Sequence, residues 1–394
     1  MHVRGRSDDP RQGCGSALPA WREPVYQRDD DEAGDSGRRC PRRRRDAVSG
    51  VPGQVEGSAV MKKQLFISVV VVAALANLAQ AQEIQILPVQ GNVYMLSGPG
   101  VNSAVQVGRQ GIVIVDTQTA AMSDKILAAL AKLDEAQRLR EQVHVTETIR
   151  GILPVVPVGS GKIRYIINTD ADPDHTGGNQ ILRRAGVTIT GANVTRDISD
   201  VTTGAAIVAH EHVLDTLSGR QPPAPTAALP TETFFEGQKE VYFNNEPIQV
   251  IHVPSAHSDG DSIVFFRRSD VVATGDIFVT TRYPVIDLQE GGSIQGVLDG
   301  LNLILDIAIP AHEQEGGTLI IPAHGRICDE ADVVEYRDMV TIIRDRIKNL
   351  KGKGMTLEQV KAAKPTRDYD PLYGSTTGAW TTDMFVEAVY RSVK

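Results

Sequence analysis

The chain has 394 residues, 41% hydrophobic and 23% charged, with a formal net charge of −8. Without its first 81 residues it loses 13 of 41 basic and 10 of 49 acidic side chains, leaving 28 against 39 and a net charge of −11. So acidic a chain is a poor partner for a phosphate backbone, which excludes nucleic-acid binding as its main role.

Residues 1–60 contain "QRDDDEAGDSG", "RRCPRRRRD" and "GVPGQVEG" with little apolar periodicity. That composition cannot bury a core and predicts disorder. The arginine run at 42–45 points to nucleic acid when taken alone, but an export signal follows it. In "MKKQLFISVVVVAALANLAQAQE", two lysines follow Met61, Leu65 to Ala76 is almost wholly apolar, and Ala79-Gln80-Ala81 is a small-x-small cleavage site. These three parts predict a secretory signal peptide over 61–81. The apolar run is shorter than the ~20 residues a bilayer span needs, so no stable membrane span is expected once the signal is removed. A leader belongs at a chain's start, so Met61 is the expected native start and 1–60 a mis-annotated upstream extension. The expected address is periplasmic or secreted. From Gln82 onward the chain has one cysteine, Cys328, and therefore no intramolecular disulfide; a domain of this size does not need one.

The runs "IQILPV", "NVYMLSG", "SAVQVG" and "GIVIVDT" predict a meander of antiparallel strands. Residues 121–140 carry apolar positions at helical spacing. A Pro/Gly/Val loop is expected at 151–161, followed by the strand "KIRYIIN". "HTGGNQILRRAG" reads as a helix start closed by Gly186. A strand "VTITGA" (187–192) and a long helix near 196–217 come next. "TETFFEGQKEVYFNNEPIQVIHVPSAH" predicts paired strands around the turn-forming "NNEP", and "SIVFFRRSDVVATGDIFV" two more. A helix at about 293–308, the strand in "GGTLIIPAHG" and a helix over 334–352 follow. The tail reads as mixed, with "KPTRDYDPLYG" as a loop before a last helix. Strands followed by helices in each half suggest two sheets packed face to face with helices outside. The expected division is a main domain over 82–345 and a C-terminal helical extension over 346–394.

The strand "IRYII" runs into "NTDADPDHTGGN", which crowds Asp170, Asp172, Asp174 and His175 at a strand end. Such carboxylates repel one another unless a cation sits between them. Three further residues share the placement: His257 after "IQVIHVPSA", Asp276 in "VVATGDIF", and His324 in "LIIPAHG". All seven follow apolar strands, which points to one metal site assembled from several loops. His210 and His212 in "AHEHVLDTL" lack the i, i+4 spacing that places two ligands on one helix face; they read as structural, as do His144, His252 and His312. Asp261 reads as a brace for a ligand loop rather than a ligand.

In these motifs the chain resembles the metallo-β-lactamase superfamily, over about residues 84–330. The family pattern is a His-x-His-x-Asp-His block, a lone His, a bridging Asp in a Gly-Asp context and a last His; here they stand as "DADPDH", "AHSDGD", "ATGDIF" and "PAHG". The resemblance implies an αββα sandwich of two mixed β-sheets with helices on the outer faces. It also implies two divalent metal ions. One site takes Asp170, Asp172 and His257, with aspartates replacing the family's first two histidines. The other takes Asp174, His175 and His324, and Asp276 bridges both. Four carboxylates give a charge of −4, which two divalent cations balance. Zinc is the first expectation, and the oxygen-rich first site admits Mn, Fe or Mg. The implied activity is that of an exported hydrolase in which a metal-bound hydroxide attacks a carbonyl or ester carbon of a small-molecule substrate of the lactam, lactone or thioester class. Asp174 additionally orients the nucleophile. The alternatives are a non-haem iron oxidoreductase on the same fold and an inert metal-binding protein.

Overall fold

The computed structural model describes residues 83–148, 161–187, 204–235, 237–314 and 316–393. The expected disorder of 1–60, the leader at 61–81, nearly all of the loop at 151–161 and the strand expected at 187–192 past Val187 lie outside the described residues.

Four strands open the chain: β1 (Gln85–Gln90), β2 (Val93–Ser97), β3 (Asn102–Gly108) and β4 (Gly111–Val115). They pair antiparallel in sequence order. β5 (Ile163–Ile167), β6 (Ala206–His210) and β7 (Glu232–Phe234) add to the same sheet in parallel, giving seven strands in the order β1 to β7. The second sheet begins with the hairpin β8 (Gln238–Phe243) and β9 (Glu246–His252). Its turn residues Asn244 and Asn245 have φ of 53° and 61°, the left-handed backbone that a two-residue type I′ turn requires and asparagine tolerates. β10 (Ser262–Phe266), β11 (Val271–Ala273) and β12 (Leu319–Ile321) complete the order β12-β11-β10-β9-β8, with β12 parallel to β11.

The helices are α1 (Ser123–Thr148), α2 (Pro173–Thr176), α3 (Asn179–Ala185), α4 (Glu211–Gly219), α5 (Ile294–Ile307), α6 (Glu330–Gly352), α7 (Leu357–Ala362), α8 (Asp370–Tyr373) and α9 (Thr382–Ser392). The period of two in the strands sorts their side chains into layers. In β4, which is buried throughout, Ile112 and Ile114 pack with Ile126, Leu130 and Leu133 of α1. Val113 and Val115 face the other way, into a core shared with Val250, Val264 and Phe266 of the second sheet. On the far side Ile263, Val272 and Ile320 pack with Val297 and Leu301 of α5 and with Phe385 and Val389 of α9. The layers are therefore helix, sheet, sheet, helix: an αββα sandwich. Helix α6 runs unbroken across residue 345, and Val360 and Phe385 beyond it share the α5 core.

Several expectations need correcting. Of the helix expected near 196–217, residues 196–203 lie outside the described residues, and in the remainder "AIVAH" is the strand β6 and the helix starts at Glu211. Ile207, Val208 and Ala209 are fully buried, and periodicity alone cannot separate a short buried strand from a helix segment. Helix α6 starts four residues earlier than expected because Asp329 and Asp332 form a capping box there. Helix α1 runs on to Thr148, and α8 adds one turn within the expected loop "KPTRDYDPLYG". No described helix is long and apolar enough to cross a membrane.

Candidate metal centre

The parallel runs β4-β5-β6 and β11-β12 place five strand ends at one edge of the sandwich, where the expected ligands gather. The turn after β5 is pinned before it presents any of them. Asn168 Nδ2 donates to Asn179 Oδ1 at 3.1 Å and Asn179 Nδ2 to Asn168 Oδ1 at 2.8 Å, while Thr117 Oγ1 donates to Asn179 Oδ1 at 2.9 Å. A Cβ on Gly178 would lie 2.4 Å from the Thr117 carbonyl oxygen, so only glycine allows this approach. The "HTGGN" stretch thus locks α2, with Asp174 and His175, onto the end of β4.

Three histidines turn Nε2 inward. Asp116 Oδ2 lies 2.9 Å from His175 Nδ1, the Val285 carbonyl 3.1 Å from His257 Nδ1, and the Gly100 carbonyl hydrogen-bonds His324 Nδ1. An acceptor at Nδ1 holds the ring proton there and leaves the Nε2 lone pair for a ligand. His324 Nε2 lies 3.2 Å from Asp276 Oδ1 and 3.8 Å from Asp174 Oδ2; His175 Nε2 lies 3.7 Å from Asp276 Oδ1; His257 Nε2 lies 3.4 Å from Asp172 Oδ2. Two ligand groups result, Asp174–His175–His324 and Asp172–His257–Asp276, each with donor atoms within 4.8 Å of one another. Asp276 adjoins both, the place a bridging carboxylate takes. Gly275 sets it there: its φ is +53°, and a Cβ would lie 2.7 Å from Thr169 Oγ1.

Asp170 stands apart. Its Oδ1 accepts the Asp172 N–H at 2.8 Å and its Oδ2 faces His175 Nδ1 at 3.3 Å, so the carboxylate braces the loop and belongs to neither ligand group. Asp261 lies outside both groups too. It accepts Ser258 N–H at 2.9 Å and Ser258 Oγ–H at 2.8 Å inside the loop that carries His257, and burial pushes its pKa up to about 6. Asp116, absent from the expected set, is a central positioning residue. Besides His175 it accepts Thr169 N–H at 2.9 Å and Thr169 Oγ1–H at 2.7 Å. The available signal was its position directly after "GIVIV", the placement shared by the other seven.

The charge balance calls for cations. Burial opposes the imidazolium of His175, yet the Asp170 and Asp116 carboxylates hold its pKa well above the usual value; for His257, Asp172 overcomes burial in the same way. Asp276 is pulled well below the carboxylate range by His175 and His324 despite burial, and Arg282 Nη2 lies 3.4 Å from its Oδ2. His175 Nε2, His324 Nε2 and Asp276 Oδ1 are buried without a hydrogen-bond partner. Orphaned buried polar atoms cost about 1–3 kcal/mol each, and three converging ones fit a divalent cation.

The sequence over residues 96–324 matches the metallo-beta-lactamase superfamily. No curated protein matches it. Among solved structures, the stereoselective inverting sec-alkylsulfatase Pisa1 from Pseudomonas sp. is 15% identical with a TM-score of 0.47, over 78% of this chain and 50% of that one. The chain thus spans about half the length of that sulfatase. A metallo-beta-lactamase from Pontibacter korlensis is 10% identical with a TM-score of 0.42, over 66% and 99% of the two chains. The DIM-1 metallo-beta-lactamase is 15% identical with a TM-score of 0.42, over 66% and 97%. With its match covering more than half its length, this chain belongs to the metallo-beta-lactamase superfamily.

Proposed function

We propose that the protein is a metal-dependent hydrolase acting on a carbonyl or ester centre of a small molecule, in the lactam, lactone or thioester class. The observation that carries this reading is the convergence of His175 Nε2, His324 Nε2 and Asp276 Oδ1, all buried and none with a hydrogen-bond partner. The donors that would hold cations are Asp174, His175 and His324 on one side and Asp172 and His257 on the other, with Asp276 between them. When bound, divalent cations there polarise the substrate's oxygen and acidify water. Three carboxylates against three imidazoles suit zinc and admit manganese or iron.

The protein's own groups perform the remaining tasks. Asp174, whose side chain is 38% exposed, has Oδ2 near His324 Nε2; it orients a water and takes its proton at Oδ2. Asp276 stays ionised, and Arg282 adds a positive charge beside it. Substrate approaches through a cavity of about 380 Å³ that reaches Asp172 and His257.

Purified protein, stripped with a chelator, is assayed against chromogenic lactams, lactones, thioesters and phosphodiesters before and after adding zinc, manganese or iron. Metal-restored hydrolysis that is lost in His324→Ala supports the proposal. Hydrolysis indifferent to chelation and to metal overturns it, as does oxygen consumption with iron in place of any hydrolysis. We also propose export, on the strength of the three-part leader at 61–81. Expression in a Gram-negative host followed by N-terminal sequencing then finds a mature start near Gln82, and a cytoplasmic, uncleaved chain refutes it.

A further inference from the structure

The stretch from Thr280 to Asp287 lies against the metal centre along its length. Thr280 N–H donates to the His324 carbonyl at 3.0 Å, and Asp287 N–H to the His257 carbonyl at 2.8 Å. Between them, Arg282 Nη2 reaches Asp276 Oδ2 and the Val285 carbonyl accepts from His257 Nδ1. His324 from one ligand group, His257 from the other and Asp276 between them are therefore all held from this stretch. Yet it forms neither helix nor strand, and such a segment keeps its place only through what it packs on. Its middle turns into the C-terminal helices. Tyr336 of α6 donates its hydroxyl to the Arg282 carbonyl at 3.1 Å, and Tyr283 N–H donates to the Tyr373 carbonyl at 3.3 Å. The Tyr283 ring, buried throughout, stacks on Phe385 of α9 with centroids 4.7 Å apart and planes 5° apart. Its hydroxyl lies 2.9 Å from Asp370 Oδ1 at the start of α8 and 3.2 Å from the Thr366 carbonyl.

We propose, resting on the metal-binding reading of that centre, that Tyr283 is a positioning residue for it. Through the Tyr283 hydroxyl, the C-terminal helices fix the stretch 280–287 and with it the His257 ring. The hydroxyl carries this role and the ring does not. Phenylalanine would fill the space over Phe385 equally well, and apolar burial is non-directional. A hydrogen bond, by contrast, weakens steeply away from its preferred line, and one to a carboxylate is among the stronger kind. The Asp370 bond therefore sets where the Tyr283 ring sits against its neighbours.

Val285 stands two residues beyond Tyr283. Its carbonyl keeps the His257 proton on Nδ1 and so leaves Nε2 for a cation. At 3.1 Å that bond is near the long end of the usual range of about 2.7–3.2 Å, so a small slip of the stretch breaks it. The ring is then free to turn or to carry its proton on Nε2. Helices that contribute no donor to either ligand group thereby help decide whether His257 can bind metal.

The competing arrangement makes Tyr283 a core residue only, whose loss lowers stability and leaves the donors in place. Zinc titration of the stripped full chain against a chromophoric chelator separates the two, with melting of the stripped protein followed by circular dichroism. The wild type is expected to bind in two steps, and His257→Ala identifies the step that belongs to the His257 group. Tyr283→Phe is expected to weaken that step about tenfold, the low end for an orienting partner because it acts one residue removed. The step of Asp174, His175 and His324 moves by less. Asp370→Asn keeps an oxygen for the hydroxyl and is expected to bind zinc as the wild type does. Asp370→Ala, at a half-buried position, removes the acceptor instead and serves where Tyr283→Phe does not fold. It weakens the same step by a smaller factor, because the Thr366 carbonyl remains. Unchanged zinc steps in both the Phe and the Ala variants, whatever their melting temperatures, overturn the role of Tyr283. A wild type that takes up no divalent metal refutes the metal centre itself, a separate failure. Neither result depends on whether the protein hydrolyses anything.

Discussion

Asp116→Asn isolates the contribution of a residue that stands in neither ligand group but holds the ring of one member, His175. Asparagine has the shape of aspartate and tolerates the φ of 60° found here, so the backbone is expected to stay in place. Its amide oxygen can still accept the Thr169 N–H, now accepted at 2.9 Å. Its amide nitrogen then lies where Oδ2 accepts from Thr169 Oγ1 at 2.7 Å and from His175 Nδ1 at 2.9 Å. A donor now faces a donor. The His175 ring relieves the clash by moving its proton to Nε2, the atom aimed at Asp276, and so loses the lone pair a metal needs. Asp170 Oδ2, at 3.3 Å from Nδ1, is a longer and weaker substitute acceptor. Loss of such an orienting partner lowers metal affinity about 10- to 100-fold, or about 1.4–2.7 kcal/mol at about 1.36 kcal/mol per tenfold. The assay is zinc competition against a chromophoric chelator at fixed pH, with melting of the stripped protein followed by circular dichroism in parallel. A folded Asn variant with wild-type zinc affinity refutes the reasoning and makes the Asp116–His175 contact merely structural.

Asp172→Asn is expected to lower the bound-metal count, whereas Asp170→Asn leaves it unchanged, because the Asn oxygen can still accept the Asp172 N–H; metal analysis of both variants checks this. Gly275→Ala forces a side chain into a left-handed backbone against Thr169. It is expected to cost about 1–3 kcal/mol, read as a fall in the urea midpoint. Asp332 receives two bonds from Arg326, at 2.8 and 2.6 Å, and the Arg326 guanidinium holds its pKa below the usual value. Because the folded pKa is the lower one, its stabilisation is complete above the unfolded pKa of about 3.9 and disappears as pH falls through the folded value. For so exposed a pair Asp332→Asn is expected to cost about 1 kcal/mol or less at neutral pH, and the difference in melting temperature closes as the pH falls below the unfolded value.

The strand ends that carry the candidate site were readable from sequence because each follows a β-branched apolar run that gives way within a few residues to Asp or His. "IRYII" before Asp170, "VVA" before Asp276 and "LII" before His324 carry this local signature, and the two-sheet layering follows from the same period of two. The glycines of "HTGGN" and the asparagines of the β8–β9 turn are legible for the same reason, as they answer local backbone demands. Other features exist only through space. Asp170 has the residue type and position of a ligand, yet its carboxylate turns to the Asp172 N–H and the His175 ring. Asp116 and His175 are 59 residues apart and meet only because β4 and β5 pair in parallel. "AIVAH" is apolar enough for a helix or a strand, and only a free position beside β5 makes it β6. The imidazoles of His210 and His252 stack because the two sheets close face to face. Periodicity and turn chemistry act within a few residues and can be read along the chain. Ligation and proton placement depend on which strand ends the packing brings within about 3 Å, a distance along which sequence carries no direct record.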